Sequence, residues 1–408
     1  MKFPQPSAFS WVVLATLGCV RLHLSAATFG EDAAFLQSHT GIIQLSDASG
    51  SAKVLLSPAW QGRVLTSTAG GDAGPSFGWI NRELIDSGKL VPHFNAFGGE
   101  DRFWLGPEGG QFSIFFAHGV AFNLTNWFTP APVDSLPFTV AGRSRTAASF
   151  TAQFSVTNYS GTCFEVGVKR TVRLLEPAAV WTLLKVAPAP GLNLVAYETD
   201  NTIRNQGTQP WTRQTGALSI WLLGQFNPSP ATTIVVPIKN GPESSLGVRV
   251  TSNYFGPIPP ARLVVRDDHL FFKGDGLFRS KIGINPVRSQ AILGSYDADH
   301  QVLTLVQYDQ DPAATDYVNS LWQLQDHPFS GDAVNSYNDG PPAPGAKPLG
   351  PFYEMESSSP AAFLAPGQSL SHVRRTMHLT GPVAALNTVA LATLGVSLAD
   401  IQSALPKP

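Results

Sequence analysis

The sequence predicts an all-β protein, a large two-sheet antiparallel β-sandwich closed by a short C-terminal helical segment. Three observations carry that expectation. From Val54 to about Leu379, short segments alternate apolar and polar residues, the period-two pattern of strands with one buried face. Gly, Pro, Asn and Asp separate these segments at intervals that suit turns rather than crossover helices. Helical periodicity is nearly absent until Pro382.

In chain order, the first element reads as an export signal. Lys2 precedes an apolar stretch from Ala8 to Val20, and the small residues Ser25-Ala26-Ala27 suit cleavage after Ala27. The stretch is too short to span a bilayer comfortably, so no stable membrane insertion is expected. Leu17-Gly18-Cys19 offers a second reading, lipid attachment at Cys19, although Thr16 stands where such a site usually has Leu. Residues 1–27 are therefore expected to be a signal peptide, 28–381 one sandwich domain and 382–408 a helical tail, in a periplasmic or extracellular protein. Cys163 would then be the sole thiol, unable to form an internal disulfide and read as a packing residue.

Expected strands cover residues 63–68, 111–117, 217–223, 232–237, 263–273 and 353–357. Two hairpins complete the set. One joins 150–156 to 164–172 through the turn Asn158-Tyr-Ser-Gly161, and the other joins 291–296 to 302–308 through Asp297-Ala-Asp-His300. After Pro382, residues 383–394 and 398–405 read as helices. Strands without intervening helices imply antiparallel sheets packed face to face.

Composition excludes several classes of function. With 43% hydrophobic residues, nine Trp and 25 Phe in 408 residues, there is material for a large core. Only 14% are charged, the formal balance is −2, and no run of Lys or Arg could track a phosphate backbone, so no nucleic-acid partner is expected. No dinucleotide fingerprint, phosphate loop, Gly-x-Ser-x-Gly elbow or zinc spacing occurs, and neither cofactor nor metal is expected. The oligomeric state is left open.

Two constellations carry candidate chemistry. The Pro-rich stretch Pro341 to Pro351 reads as a stiff loop that delivers a strand bearing Glu354 and Glu356, which share a face because side chains alternate. Either that face is half-solvated, or a carboxylate there handles protons or sugar hydroxyls. The second constellation is the Gly-rich segment Phe97 to Gly110. Its glycines would let backbone approach a ligand, Trp104 offers a flat apolar face, and Arg102 and Glu108 can each hold two hydroxyls. The alternative is a tight loop in which Arg102 and Glu108 pair with each other. His93 and His118 flank this segment and His372 and His378 follow the acidic strand, as candidate proton donors or as satisfied structural residues.

These residues resemble the galactose mutarotase-like superfamily, which includes aldose 1-epimerases. Glu356, Pro360, Leu364-Ala-Pro-Gly-Gln368 and the segment from Leu370 to Leu379 follow the order of that group's closing strands. Leu56 to Ser67 is similar to its opening turn and strand, and Phe97 to Gly110 falls where several members place a sugar-contacting Arg. Together with the export signal, the resemblance implies an exported carbohydrate-binding protein. Glu356 would be the base on the anomeric hydroxyl, and Arg102, Trp104, Glu108, Glu354 and His93 would contact the sugar. One departure bears on activity. The region from Asn205 to Leu223, where such epimerases carry a His that protonates the ring oxygen, contains none. A non-catalytic sugar-binding module, or a polysaccharide lyase or glycosidase on the same fold, therefore stands beside the epimerase reading.

Overall fold

A computed structural model describes residues 27–406. The expected signal peptide, Cys19 included, lies outside the described residues apart from Ala27. The strands run β1 (Ile43–Ser46), β2 (Lys53–Ser57), β3 (Arg63–Thr68), β4 (Arg102–Gly106), β5 (Thr139–Arg143) and β6 (Ala147–Thr157). They continue as β7 (Cys163–Leu174), β8 (Asn193–Asn205), β9 (Ser219–Phe226), β10 (Thr232–Pro237), β11 (Leu263–Val265) and β12 (His269–Lys273). The last six are β13 (Ser280–Ile284), β14 (Ile292–Asp297), β15 (Val302–Tyr308), β16 (Val334–Asn338), β17 (Tyr353–Ser358) and β18 (Ser369–Thr380).

Two large sheets form the sandwich. One has ten strands in the order β11-β12-β10-β14-β15-β18-β8-β7-β6-β5, and the other has five in the order β13-β16-β17-β9-β4. Their ladders are antiparallel, as a chain without crossover helices requires. Between the sheets, Phe226, Ile282, Val334 and Met355 of the smaller pack against Ile234, Leu293 and Val306 of the larger. The alternation is visible in β8, where Val195, Tyr197, Thr199, Asn201 and Ile203 are all buried while Glu198, Asp200 and Thr202 are only half-buried. By contrast β9 is buried along its whole length, which explains its nearly unbroken apolar run: one face meets the core and the other is covered by loops.

The helices Val383–Leu394 and Leu398–Ser403 match the expected closing segment. They cover the back of the ten-stranded sheet, where Leu386, Val389 and Ile401 pack on Val235, Leu303, Leu305 and Met377.

The structure corrects several expectations. A third sheet, β1-β2-β3, joins the two large ones. Residues 111–117 are turns rather than a strand, because Phe112, Ile114, Phe115 and Phe116 are all buried and alternation never had a solvent side. Residues 263–273 form two strands that pair with each other about Arg266-Asp267-Asp268, whose charges favour a turn. The segment 97–110 contains strand β4. A helix at Phe29–His39 was not anticipated, although Thr28 and Glu31 spell its capping box. Cys163 is exposed rather than packed.

Candidate functional site

Alternation places Lys281 (β13), Tyr337 (β16), Glu354 and Glu356 (β17), Trp221 and Leu223 (β9) and Arg102 and Trp104 (β4) on one face of the five-stranded sheet. The register carries this across the strands: Arg102 lies opposite Leu223 and Leu223 opposite Glu356, while Trp104 lies opposite Trp221. This is the face turned away from the ten-stranded sheet. Loops roof it with Phe94, Leu124, Trp127, Phe255 and Trp322 and with Pro342, Lys347 and Leu349 of the Pro-rich stretch. They enclose a cavity of about 130 Å³. That is well above the roughly 10–15 Å³ needed to hold one water, so the cavity has room for a small polar ligand.

Four residues singled out from the sequence, Arg102, Trp104, Glu108 and Glu354, line this cavity. Arg102 pairs with Glu354, Nη2 to Oε1 at 2.5 Å, and not with Glu108. Strands β4 and β17 both flank β9, so they stand about two strand spacings, ~9–10 Å, apart, a span the long Arg side chain can bridge. Glu356 is fully buried and is not part of the cavity wall; its Oε2 accepts from Lys281 Nζ at 3.0 Å and Trp221 Nε1 at 2.8 Å. His93 also lies outside the wall. Its Nδ1 faces the carbonyl of Trp127 at 2.5 Å and its ring stacks on Phe128 at 4.1 Å. His118 meets the carbonyl of Tyr159, and His372 meets Ser357 in the interior. Trp104 is only 3% exposed, because the Arg102 guanidinium covers its ring at 4.9 Å and Trp221 abuts it edge-on. Trp322, half-buried on the same wall and stacked on Trp127 at 5.9 Å, is the more accessible ring.

The glycines do something other than expected. A Cβ on Gly98, whose φ is +97°, would come within 2.0 Å of the Trp79 carbonyl, and one on Gly109 within 2.3 Å of the Leu321 carbonyl. They let the chain pass close to itself, and the Gly109 contact presses the loop bearing Trp322 against the site.

Burial dominates the electrostatics. It pushes Glu354 up to about 7; Arg102 works against that shift and Glu356 reinforces it. The same burial lowers Arg102, but a guanidinium starts so high that the carboxyl is the member of the pair that titrates near neutrality. Glu108 is likewise raised by burial, and no ion pair holds it. At Lys281, burial acts to lower the value, but Glu356, Glu108 and Glu354 together outweigh it and hold the ammonium above its ordinary range. Asp339, at the Pro-rich edge, is raised by burial to about 6 and accepts from Tyr337 Oη and the Gly350 amide, each at 2.8 Å. Four buried donors of the wall, Arg102 Nε and Nη1, Trp104 Nε1 and Trp127 Nε1, have no protein partner, a cost of about 1–3 kcal/mol each that a ligand rich in acceptors would relieve.

Sequence reasoning missed Lys281, Tyr337, Asp339, Trp127, Trp221 and Trp322. Only Asp339-Gly340 carried a local signal, a turn pair opening the Pro-rich stretch; the rest reach the cavity through pairing and loop packing. Among the described residues no group of His, Cys, Asp and Glu is arranged to hold a metal ion, and no helix is long and apolar enough to cross a membrane.

Fold and site together define a large antiparallel β-sandwich protein with an aromatic-walled cavity, lined by both acidic and basic side chains, on the outer face of its smaller sheet. The chain belongs to the DUF6786 family, a family of unknown function whose model matches residues 27–405. It is similar to the Slr1438 protein of Synechocystis sp. PCC 6803, at 14% identity over 84% of this chain and 96% of that one, with a TM-score of 0.49. A galactose mutarotase-like protein from Lactobacillus casei is similar at 11% identity over 83% and 100%, with a TM-score of 0.47. A galactose mutarotase related enzyme from Lactobacillus acidophilus is similar at 10% identity over 83% and 97%, with a TM-score of 0.46. No curated protein matches the chain in sequence.

Proposed function

We propose that this is an exported protein that binds a single sugar ring in the cavity and exchanges protons with it by general acid–base chemistry, as in anomeric epimerisation. The observation that carries the reading is that two of the three carboxyl groups of raised proton affinity on this aromatic-walled cavity, Glu354 and Glu108, stand together on one wall, the third being Asp339 at the Pro-rich edge. Glu354, held by Arg102, suits the base that takes the anomeric hydroxyl proton. Glu108, without an ion pair, suits the acid that delivers a proton to the ring oxygen. The ring then opens, rotates and closes, and the protons return by the reverse transfers. Glu356, behind the wall, keeps Lys281 charged on it and is a positioning residue. A purely binding role is the second reading, favoured by the absence of His from the cavity wall.

Titration of the protein with D-glucose, D-galactose and D-mannose, followed by tryptophan fluorescence, tests the binding. Trp322→Ala is expected to weaken it by about 1–3 kcal/mol, by analogy with stacking of bases on aromatic rings. Exchange between the two anomers of the bound sugar, followed by magnetisation-transfer NMR, tests the chemistry. Exchange no faster than in buffer would leave the binding role alone.

Export is supported by the Lys2-led apolar stretch and the Ser25-Ala26-Ala27 site. Mass spectrometry of the protein from its native cell is expected to find an N-terminus at Thr28. Retention of Met1 in a cytosolic fraction would contradict export, and a lipid on Cys19 would replace it with membrane anchorage.

A further inference from the structure

A second cavity, of about 320 Å³, opens on the other side of β17. Tyr353 and Glu354 are consecutive, so their side chains leave the strand on opposite faces: Glu354 lines the first cavity and Tyr353 the second. The wall combines aromatic rings, Phe77, Phe226 and Tyr353, with Thr304 and His378, which are paired across β15 and β18.

Behind this wall a chain of hydrogen bonds fixes the polarity of the Thr304 hydroxyl. Glu100 is fully buried, and its carboxylate accepts from the Ser67 amide at 2.6 Å and the Ser67 hydroxyl at 2.9 Å. His378 Nε2 lies 3.0 Å from the same carboxylate, so that nitrogen carries the proton and donates. With the imidazole neutral, His378 Nδ1 is the acceptor and the Thr304 hydroxyl, 2.9 Å away, donates to it. Stacking on Phe77 at 4.4 Å holds the imidazole in place. In that state Thr304 Oγ1, beside the Tyr353 hydroxyl, presents lone pairs to the cavity. The carboxylate of Asp297, also on the wall, is already held by Ser229, His300 and two backbone amides, and offers acceptor capacity with its charge largely answered.

We infer that this cavity is a second ligand site, for a neutral hydroxyl-rich ring such as a sugar unit, which donates to Thr304 Oγ1 and lies against the Phe77, Phe226 and Tyr353 rings. An aromatic wall suits the apolar face of such a ring, and an acceptor-presenting wall suits its hydroxyls. The inference is independent of the chemistry assigned to the first cavity.

Calorimetric titration of D-glucose, D-galactose and cellobiose into the full chain tests it, in wild type and in Trp322→Ala, Thr304→Val and Val302→Trp. Trp322→Ala marks the first cavity. Thr304→Val removes the acceptor while keeping the shape, and Val302→Trp fills the second cavity from a half-exposed wall position without touching the relay. One binding event is expected to keep its affinity in Trp322→Ala and to weaken at least tenfold in Thr304→Val and in Val302→Trp. If Thr304→Val does not fold, Val302→Trp alone decides. If no event keeps its affinity in Trp322→Ala, or if the one that does is unchanged in Val302→Trp, the inference is overturned.

Discussion

Asp101→Ala is expected to destabilise the protein by about 3–5 kcal/mol, the range for removing one member of a buried ion pair. Asp101 is fully buried between the sheets. Its Oδ1 accepts from Arg170 Nη2 at 2.6 Å, its Oδ2 accepts from Thr199 Oγ1 at 3.2 Å and lies 3.5 Å from Arg374 Nε, and both guanidiniums are also fully buried. Without the carboxylate two cations remain in the interior with only carbonyl and amide oxygens, among them Gly62 O, Asn201 Oδ1 and Leu222 O, to answer them. Chemical denaturation with urea measures the loss. Replacing Asp101 and Arg170 together by Leu and Met is expected to cost less than Asp101→Ala, because an apolar pair leaves one fewer unanswered charge. A loss below about 1 kcal/mol in Asp101→Ala would mean that water reaches the network. The network also matters to the site, since Asp101 immediately precedes Arg102 and fixes the start of the strand that carries it.

Glu354→Gln is expected to lower any turnover by about 10²–10⁴-fold while leaving sugar affinity within a few-fold, because the amide keeps the shape and removes the base. The pH dependence has a definite sign. A base must be ionised, and burial has pushed Glu354 up to about 7, so the wild-type rate rises with pH through neutrality and levels off above it. Glu108, also raised by burial, is the group that must stay protonated to act as the acid. In Glu354→Gln the neutral limb is expected to vanish, whereas Glu108→Gln is expected to lower the rate and keep that limb. Steady-state rates of anomeric exchange between pH 5 and 9 measure both. A larger loss in Glu356→Gln than in Glu354→Gln would move the proton transfer to the residue beneath the wall, the assignment that resemblance to the mutarotase-like group implies.

Much of the architecture was legible along the chain. The hairpin at Asn158 to Gly161, the strands at Arg63–Thr68 and Thr232–Pro237 and the helix at Val383–Leu394 lie where period and turn residues put them, because local alternation and local turn chemistry suffice for such elements. The misread segments are those whose pattern is set from outside. Residues 111–117 look like a strand because loops bury both sides of them, and the segment 97–110 hides β4 because its glycines suggest a loop.

For the site, the sequence by itself determined that Glu354 and Glu356 share a face and that Arg102, Trp104 and Glu108 travel together, since both follow from spacing along one strand or one short segment. The tertiary structure alone decided which of them meet a ligand. Arg102 and Glu354 are 252 positions apart and become partners only because β4 and β17 both pair with β9. Lys281, brought in by β13 at the far edge of that sheet, closes over Glu356 and leaves Glu354 to line the cavity. Strand periodicity fixes the face toward which a side chain points. Strand order and loop packing, which arise from contacts hundreds of residues apart, fix what stands in front of it.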